Sequence, residues 1–229
     1  APGSKIPFPT VTKEMIDRTS PALPAEVRYG TLEGDARLRR EGDDWVFRVE
    51  GLRAQTGAQR AANETQVWGR WTGKPVTRFG LELNVDGLDL AATWPLVLAF
   101  APPAFDRFAG LAPRGRVETL RLKAQRERAG ILPAFTVQAN LAGVGFQPIG
   151  RFPGLTGVSL ELDGNDQQGK VQLRADQPVF EWPRMFSEPL ALERVTAAGG
   201  WRRECAVWIA STKGAQVVHA QGRARVDME

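Results

Sequence analysis

The most informative part of the sequence is the stretch FGLELNVD, which runs from Phe79 to Asp86. Glycine and polar residues alternate in it with apolar side chains, which are Phe79, Leu81, Leu83 and Val85. Successive side chains of a β-strand point to opposite faces of the sheet. A period of two therefore predicts a strand with one apolar face and one solvated face.

The same alternation recurs further along the chain. Turn-forming sequences such as Glu41–Asp44 and Asp163–Asp166 separate the alternating runs, which predicts antiparallel hairpins. No helix of a dozen residues recurs between the runs, as a parallel sheet would require. We therefore predict a mainly β, antiparallel fold. The apolar positions of the later runs are Leu120, Leu122, Phe135, Val137, Ala139, Leu141, Val158, Leu160, Leu162, Val171, Leu173 and Ala175.

Composition and charge narrow the functional classes. The chain has 229 residues, of which 42% are hydrophobic, and its net charge is only +4. Its basic residues are interspersed with acidic ones, so we expect no nucleic-acid partner, which would favour a concentrated basic stripe. The single cysteine, Cys205, has apolar neighbours, and we expect a buried, inert thiol that forms no internal disulfide.

The residues needed for catalysis are scarce. His219 is the only histidine, so no multi-histidine metal site can form. A lone histidine in a strand-like run is usually structural, so we expect no histidine-based catalytic triad. No glycine-rich phosphate loop precedes a helix. A pair of facing carboxylates, as in glycoside hydrolases, would not be visible in the sequence. We expect no enzyme activity, no catalytic residues, no cofactor and no metal.

One apolar segment interrupts the alternation. Asp89 or Thr93 can cap a helix that starts near Trp94, and the Pro-Pro pair at 102–103 should break it, so we predict a helical insertion at about 94–111. Its most apolar part is about half as long as a membrane-spanning helix. The insertion could cover a sheet edge and the core, or it could partly cover a groove, in which case the covering residues would be Leu96, Val97, Phe100, Phe105 and Phe108.

The domain organisation predicted from this pattern has two parts. Residues 1–24 form an N-terminal segment whose first four residues resemble an artificial leader, and a weaker pattern indicates a short helix over Thr12–Arg18. Residues 25–229 form one continuous β segment, because the composition does not change on either side of the helical insertion. We expect the chain to be an internal fragment of a longer protein.

Alternating strands leave one question open. The apolar face could be the sealed interior of a sandwich or barrel, which is the commoner case, or it could line an open groove. The seven tryptophans share this ambiguity, since they suit either a core or the boundary between lipid and water. For Trp45 we favour the core.

The order of features from Leu88 to Trp201 is more specific than any single motif. It begins with Gly87–Leu90 and an apolar helix and continues through strands and turns, which are Gly110–Gly115, Val117–Leu122, Phe135–Leu141, Pro153–Gly157, Gly169–Leu173, Pro189–Leu192 and Gly199–Trp201. This succession resembles the YhdP family of AsmA-like envelope proteins, which are related to TamB.

The resemblance implies a fold and a function. The fold would be an elongated, curved antiparallel sheet that forms a repeating β-groove, or half-barrel, with one or two short helices. The chain would be a periplasmic segment of an inner-membrane-anchored protein that shields acyl chains during phospholipid transport between the inner and outer membranes. Its partners would be phospholipid acyl chains and neighbouring segments of the same full-length chain.

A groove of this kind would be lined by the apolar positions of the alternating strands. They are Phe79, Leu81, Leu83, Val85, Leu120, Leu122, Phe135, Val137, Leu160, Leu162 and Leu173. The alternative function is that of a non-enzymatic structural or assembly scaffold of the envelope that binds protein partners.

Overall fold

The computed structural model describes residues 10–12, 26–56, 59–60, 64–73, 78–100, 108, 110–128, 132–205, 207–220 and 222–228. Within this part of the chain there are fifteen strands and one helix of eleven residues. Their bounds are β1 Thr10–Thr12, β2 Glu26–Glu41, β3 Asp44–Thr56, β4 Gln59–Arg60, β5 Thr65–Gly73, β6 Phe79–Asp89, α1 Leu90–Phe100, β7 Arg114–Arg126, β8 Ala134–Phe146, β9 Gly154–Asn165, β10 Gln168–Asp176, β11 Val179–Glu181, β12 Leu190–Ala191, β13 Arg194–Glu204, β14 Val207–His219 and β15 Gly222–Met228.

All described strands belong to one sheet whose order follows the chain. The order is β1-β2-β3-β5-β6-β7-β8-β9-β10-β13-β14-β15, and short pairings attach β4 to β3 and the β11–β12 hairpin to β9. Every pairing along this path is antiparallel. The predicted mainly β, antiparallel architecture is therefore confirmed, and it takes the form of a single open, curled sheet.

The two ends of the strands differ. At one end, which we call the turn end, short connections join β2 to β3, β5 to β6, β7 to β8, β9 to β10 and β13 to β14. At the other end, which we call the helix end, lie α1 and the β11–β12 hairpin. The turn end of the sheet therefore carries short connections, whereas the helix end carries a helix and an additional hairpin.

Glycine-containing bulges bend the strands near the helix end. Between Leu141 and Val144 the register of β8 against β9 shifts, and Gly143 in this interval has a φ of 59°. A left-handed residue inside a bulge favours glycine, and the bulge increases the local twist of the strand. Comparable register shifts contain positive-φ glycines in β3, β7 and β14, namely Gly51, Gly115 and Gly214.

The helix begins earlier than the sequence predicted. It starts at Leu90 rather than near Trp94, because Oδ1 of Asp89 accepts a hydrogen bond of 2.9 Å from the backbone N–H of Ala92 and so caps the first turn. Thr93 does not cap the helix, since its hydroxyl donates back to the carbonyl of Asp89 at 2.5 Å. Pro95 lies inside the helix, where it cannot donate a backbone hydrogen bond.

Only part of the other irregular segments predicted from the sequence lies within the described residues. Phe108, Gly110 and Leu111 lie in a short 3₁₀ turn after α1, whereas Phe105 and the two prolines lie outside the described residues. Thr12 ends strand β1, and the rest of the helix predicted over Thr12–Arg18 lies outside the described residues. The division of the chain at residues 24 and 25 stays a prediction.

The fully buried apolar residues are few and mostly small. Val85, Val117, Ala139, Val158 and Ala175 are buried in the sheet, and Leu98 of α1 is only 1% exposed. All of these sheet residues except Ala139 lie in the half of the strands toward the helix end, where α1 packs against β3, β6 and β7. The enclosed apolar core is therefore concentrated toward the helix end of the strands.

Two expectations about burial were wrong. Trp45 is 43% exposed, because no second sheet among the described residues packs over it. Cys205 is exposed rather than buried. It occupies the turn between β13 and β14 with a φ of 55°, so its apolar neighbours in the sequence do not enclose it.

Candidate functional site

One face of the sheet carries a row of small and apolar residues that crosses ten neighbouring strands. Each member is the direct cross-strand partner of the next. From β2 to β14 this first row consists of Ala36, Val49, Val67, Val85, Leu120, Ala139, Leu162, Val171, Gly199 and Thr212.

A second row lies beside it, two residues nearer the turn end of each strand. It crosses the same ten strands and contains no charged or polar side chain apart from the indole N–H of a tryptophan. Its members are Leu38, Phe47, Gly69, Leu83, Leu122, Val137, Gly164, Gly169, Trp201 and Ala210. We call the side of the sheet that carries both rows the apolar face.

All eleven residues predicted to line a groove lie on this face. Six belong to the two rows, namely Val85, Leu120, Leu162, Leu83, Leu122 and Val137. Leu81, Phe135 and Phe79 lie further toward the turn end, and Leu160 and Leu173 pair with each other toward the helix end. Only Val85 is buried, and the other ten are half-buried, which is the exposure of a surface without a second packed layer.

The opposite face is polar. Between the two apolar rows, on the other side of the sheet, run Arg37, Arg48, Trp68, Asn84, Arg121, Gln138, Asp163, Lys170, Gly200 and Ser211. Cross-strand partners pair their charges here, as in Lys123 with Glu82 at 3.0 Å. Exposed ion pairs contribute little stability, but they favour a face that stays in water and a fixed register.

Ion pairs on the polar face also bind neighbouring positions together. Both carboxylate oxygens of Asp86 accept hydrogen bonds from the guanidinium of Arg121, at 2.8 and 3.0 Å. The hydrogen bond from Arg37 to Asp35, and then the negative charge of Asp35, raise the pKa of Arg37 above its ordinary value. The guanidinium groups of Arg37 and Arg121 therefore form ion pairs with carboxylates of the same sheet.

Large rings lie flat on the second row where it contains glycine. A Cβ atom on Gly169 would overlap the indole of Trp201, and a Cβ on Gly164 would lie 2.6 Å from the same ring. The indole N–H of Trp201 donates to the carbonyl of Asn165 at 3.0 Å, which fixes the ring in this position. The ring of Phe47 covers Gly69 in the same way. The glycines thus let bulky rings lie along the sheet instead of standing up from it.

Aromatic residues concentrate at the turn end of the apolar face. Trp71 stacks on Phe79 with ring centroids 5.4 Å apart, and Phe135 stacks on Trp208 at 6.4 Å. We call these four residues and Trp45 the aromatic rim. The rim had been visible in the sequence only as scattered tryptophans and phenylalanines, since its members come from five different strands.

The residues predicted to cover a groove are placed only in part. Leu96, Val97 and Phe100 belong to α1, but their side chains lie outside the described set, as does all of Phe105. Phe108 is half-buried in the short turn after the helix. The helix contains no charged residue and contacts the sheet at β3, β6 and β7, so at the helix end it does lie against these strands.

Several members of the apolar rows were missed by the sequence analysis. Val67 and Gly69 of β5 face the same side as Leu83. The run QVWGRWTG places one tryptophan on each face of the strand, so its sequence gives no clean alternation of apolar and polar residues. Val171 and Ala139 were visible as alternating positions but were not assigned to the lining. Cross-strand pairing identifies them, because each has an assigned residue as its direct partner.

Other kinds of site find no support in the described part of the chain. It contains no group of three or more histidine, cysteine, aspartate or glutamate side chains that could hold a metal ion. None of the helices in the described part is long and apolar enough to span a membrane.

A comparison with models of protein families identifies the family of this chain. The model of the YhdP protein family matches residues 22–229, which includes every strand of the two apolar rows. This chain belongs to the YhdP family. No curated protein sequence and no solved structure matches the chain.

Membership in the YhdP family gives the chain a general role. YhdP proteins are bacterial envelope proteins of a lipid-transport bridge family rather than a family of enzymes. The open, curled sheet of this YhdP segment fits the β-groove expected for that role.

Proposed function

We propose that this YhdP segment binds phospholipids by their acyl chains on the apolar face and shields them during transport between the inner and outer membranes. One observation carries the proposal: two apolar rows cross ten strands, and no second sheet among the described residues covers them. The same proposal places the segment in the periplasm, as part of an inner-membrane-anchored protein.

The dimensions of the rows suit acyl chains. Strands lie about 4.8 Å apart, so a row across ten strands is roughly 43 Å long when it is measured along the curve of the sheet. One leaflet of a bilayer has a hydrocarbon thickness of about 15 Å, half of the whole hydrocarbon core. An acyl chain can therefore lie on the rows at several successive positions, which transport along the sheet requires.

The energetics favour such a surface. Removing a methylene group from water is worth about 0.8 kcal/mol, so shielding ten of them contributes about 8 kcal/mol. The residues of the second row, such as Leu83 and Leu122, are half-buried and retain apolar surface that a chain can cover. Because apolar surface continues from strand to strand, an acyl chain can move to the next position without leaving it.

Site-specific photo-crosslinking tests this function. A photoreactive amino acid at Leu83, on the apolar face, should capture phospholipid in cells. The same probe at Glu82, which is adjacent in the chain but points to the polar face, should not. Equal capture at both positions, or capture at neither, would contradict the proposal.

Lipid binding by the purified protein separates transport from a scaffold role. Native mass spectrometry should show co-purified phospholipid, or uptake of added phospholipid, if the apolar face binds acyl chains. A protein that is free of lipid and rejects added lipid would instead favour the structural or assembly scaffold.

We also propose that neighbouring segments of the full-length chain extend the sheet. Among the described strands, β15 pairs on one side only, with β14, so its other edge offers backbone groups for a further antiparallel strand. Proline substitutions at exposed positions of β15, such as Arg223 and Arg225, should weaken association with an added following segment if that edge is the junction.

A further inference from the structure

Three arginines on the apolar face each lie over an aromatic ring of the neighbouring strand. The guanidinium carbon of Arg40 is 6.0 Å from the ring centroid of Trp45, and that of Arg203 is 5.9 Å from Trp208. The guanidinium carbon of Arg126 is 5.6 Å from the ring centroid of Phe79. In each case the arginine and the ring are direct cross-strand partners.

All three pairs lie at the turn end, and they recur at a regular interval. The arginines are on β2, β7 and β13, and each is four strands from the next in the order of the sheet. Four strands correspond to roughly 19 Å. The positive charges thus mark one side of the apolar face at repeated positions along its length.

Arg40 and Arg203 differ from the arginines of the polar face in their surroundings. Arg121 on the polar face is held by both carboxylate oxygens of Asp86. For Arg203, by contrast, no carboxylate of the described residues lies within ion-pair distance, and its contact is with the ring of Trp208. The Nε–H of Arg40 donates to the carbonyl of Gly42 at 3.0 Å. Its nearest carboxylate contact is at 3.9 Å, and that partner, Asp43, has a 99% exposed side chain.

The position of the arginines relative to the apolar rows matches an amphiphile. Arg40 and Arg203 lie two residues beyond Leu38 and Trp201 of the second row, which is about 7 Å along the strand. A phosphate beside either guanidinium would therefore lie one short step from the beginning of the hydrocarbon surface. A cation–π contact with the ring holds the guanidinium group at the edge of that surface, and N–H groups that point away from the ring can donate to a phosphate.

We propose that Arg40, Arg126 and Arg203 form a series of headgroup sites that bind the phosphodiester of a phospholipid whose acyl chains lie on the apolar rows. The inference rests on the proposed function and adds the chemistry of the recognised headgroup. Arginine recognises phosphate through two parallel N–H donors, which a lysine cannot reproduce. The occupant is a lipid, since a free phosphate would gain nothing from the apolar rows beside the sites.

Binding of two matched lipids tests the proposal. Dioctanoyl-phosphatidylglycerol and dioctanoylglycerol have the same chains, and only the former has a phosphate. The wild-type chain should bind the phospholipid about tenfold more tightly at low salt, and the preference should shrink as salt is added. The triple variant R40Q/R126Q/R203Q should lose most of this preference while it retains affinity for dioctanoylglycerol.

Matched variants control for charge and folding. R37Q/R48Q/R174Q removes the same charge from the polar face and should keep the preference. The variant R40K/R126K/R203K should recover only part of the preference for the phospholipid. Arg40 has a 63% exposed side chain, so R40Q alone is the variant least able to disturb folding, and it should lower the preference in the same direction by a smaller factor.

The outcomes separate this inference from the proposed function. If the wild-type chain binds neither lipid, both fail. If it binds both lipids equally, or if the rim variants keep the preference with an unchanged melting temperature, the headgroup sites are wrong and the apolar groove stands. If inorganic phosphate binds the wild-type chain as tightly as the phospholipid does and the triple glutamine variant loses that binding, the sites bind free anions and the assignment to a lipid headgroup is overturned.

Discussion

The rings of Phe135 and Trp208 stack with their centroids 6.4 Å apart, although the residues lie on β8 and β14, four strands apart in the sheet. In a flat sheet their backbones would be roughly 19 Å apart. The contact therefore shows that the sheet curls strongly toward its apolar face at the turn end. The apolar face is thus the concave side of the sheet, and the polar face is the convex side.

This contact predicts a measurable coupling between distant strands. In a double-mutant cycle, F135A and W208A should show a favourable interaction of about 0.5–1.5 kcal/mol in the free energy of unfolding. Denaturant titration of the four proteins gives the value. The pair F135A and W68A is the control and should be additive, since Trp68 points to the opposite face. Additivity of the first pair would mean that the curl is absent in solution.

The glycine beneath Trp201 should tolerate no side chain. G169A should lower the free energy of unfolding by about 1–3 kcal/mol, because the added methyl overlaps the indole. G222A is the control, since nothing lies within 4 Å of a Cβ at that position, and it should change stability by about 0.5 kcal/mol or less. If W201L is added to G169A, part of the loss should be recovered. Equal effects of G169A and G222A would show that the ring does not lie there.

The cap of α1 gives a smaller effect. D89A removes the acceptor for the backbone N–H of Ala92 and should cost about 1 kcal/mol of unfolding free energy. D89N retains an acceptor oxygen and should cost clearly less. Chemical denaturation measures both variants, and a loss with D89N as large as with D89A would point to the charge of Asp89 rather than to its hydrogen bond.

A charge in the second apolar row should reduce lipid binding. V137E places a carboxylate between Leu122 and Gly164, where it would repel acyl chains, and we expect at least a tenfold loss of bound phospholipid. Q138E changes the adjacent residue on the polar face and should leave binding unchanged. Lipid retained by each purified variant can be quantified by mass spectrometry, and a similar loss in both would assign the effect to net charge.

The exposed turn cysteine should react without unfolding. Cys205 is exposed between β13 and β14, so a maleimide should label it in the native protein at nearly the rate seen in urea. Strong protection in buffer alone, with full labelling in urea, would contradict the placement of this turn. The label would also provide a spectroscopic probe at the turn end of the apolar face.

The sequence was sufficient to predict the antiparallel sheet and the placement of eleven named apolar residues on one face of it. These follow from local alternation, because side-chain direction in a strand depends only on position along that strand. The cap at Asp89 was also among the predicted alternatives, since capping is a short-range interaction.

The remaining features depend on contacts between strands that are far apart in the sequence. Alternation is the same in a sealed sandwich and in an open groove, and only the absence of a second described sheet over Trp45 and Leu83 distinguishes them. Likewise, Arg203 and Trp208 become a stacked pair only through the register of β13 with β14. Register and curl arise from cross-strand packing and from bulges, so the tertiary structure alone reveals the concave face and its row of arginines.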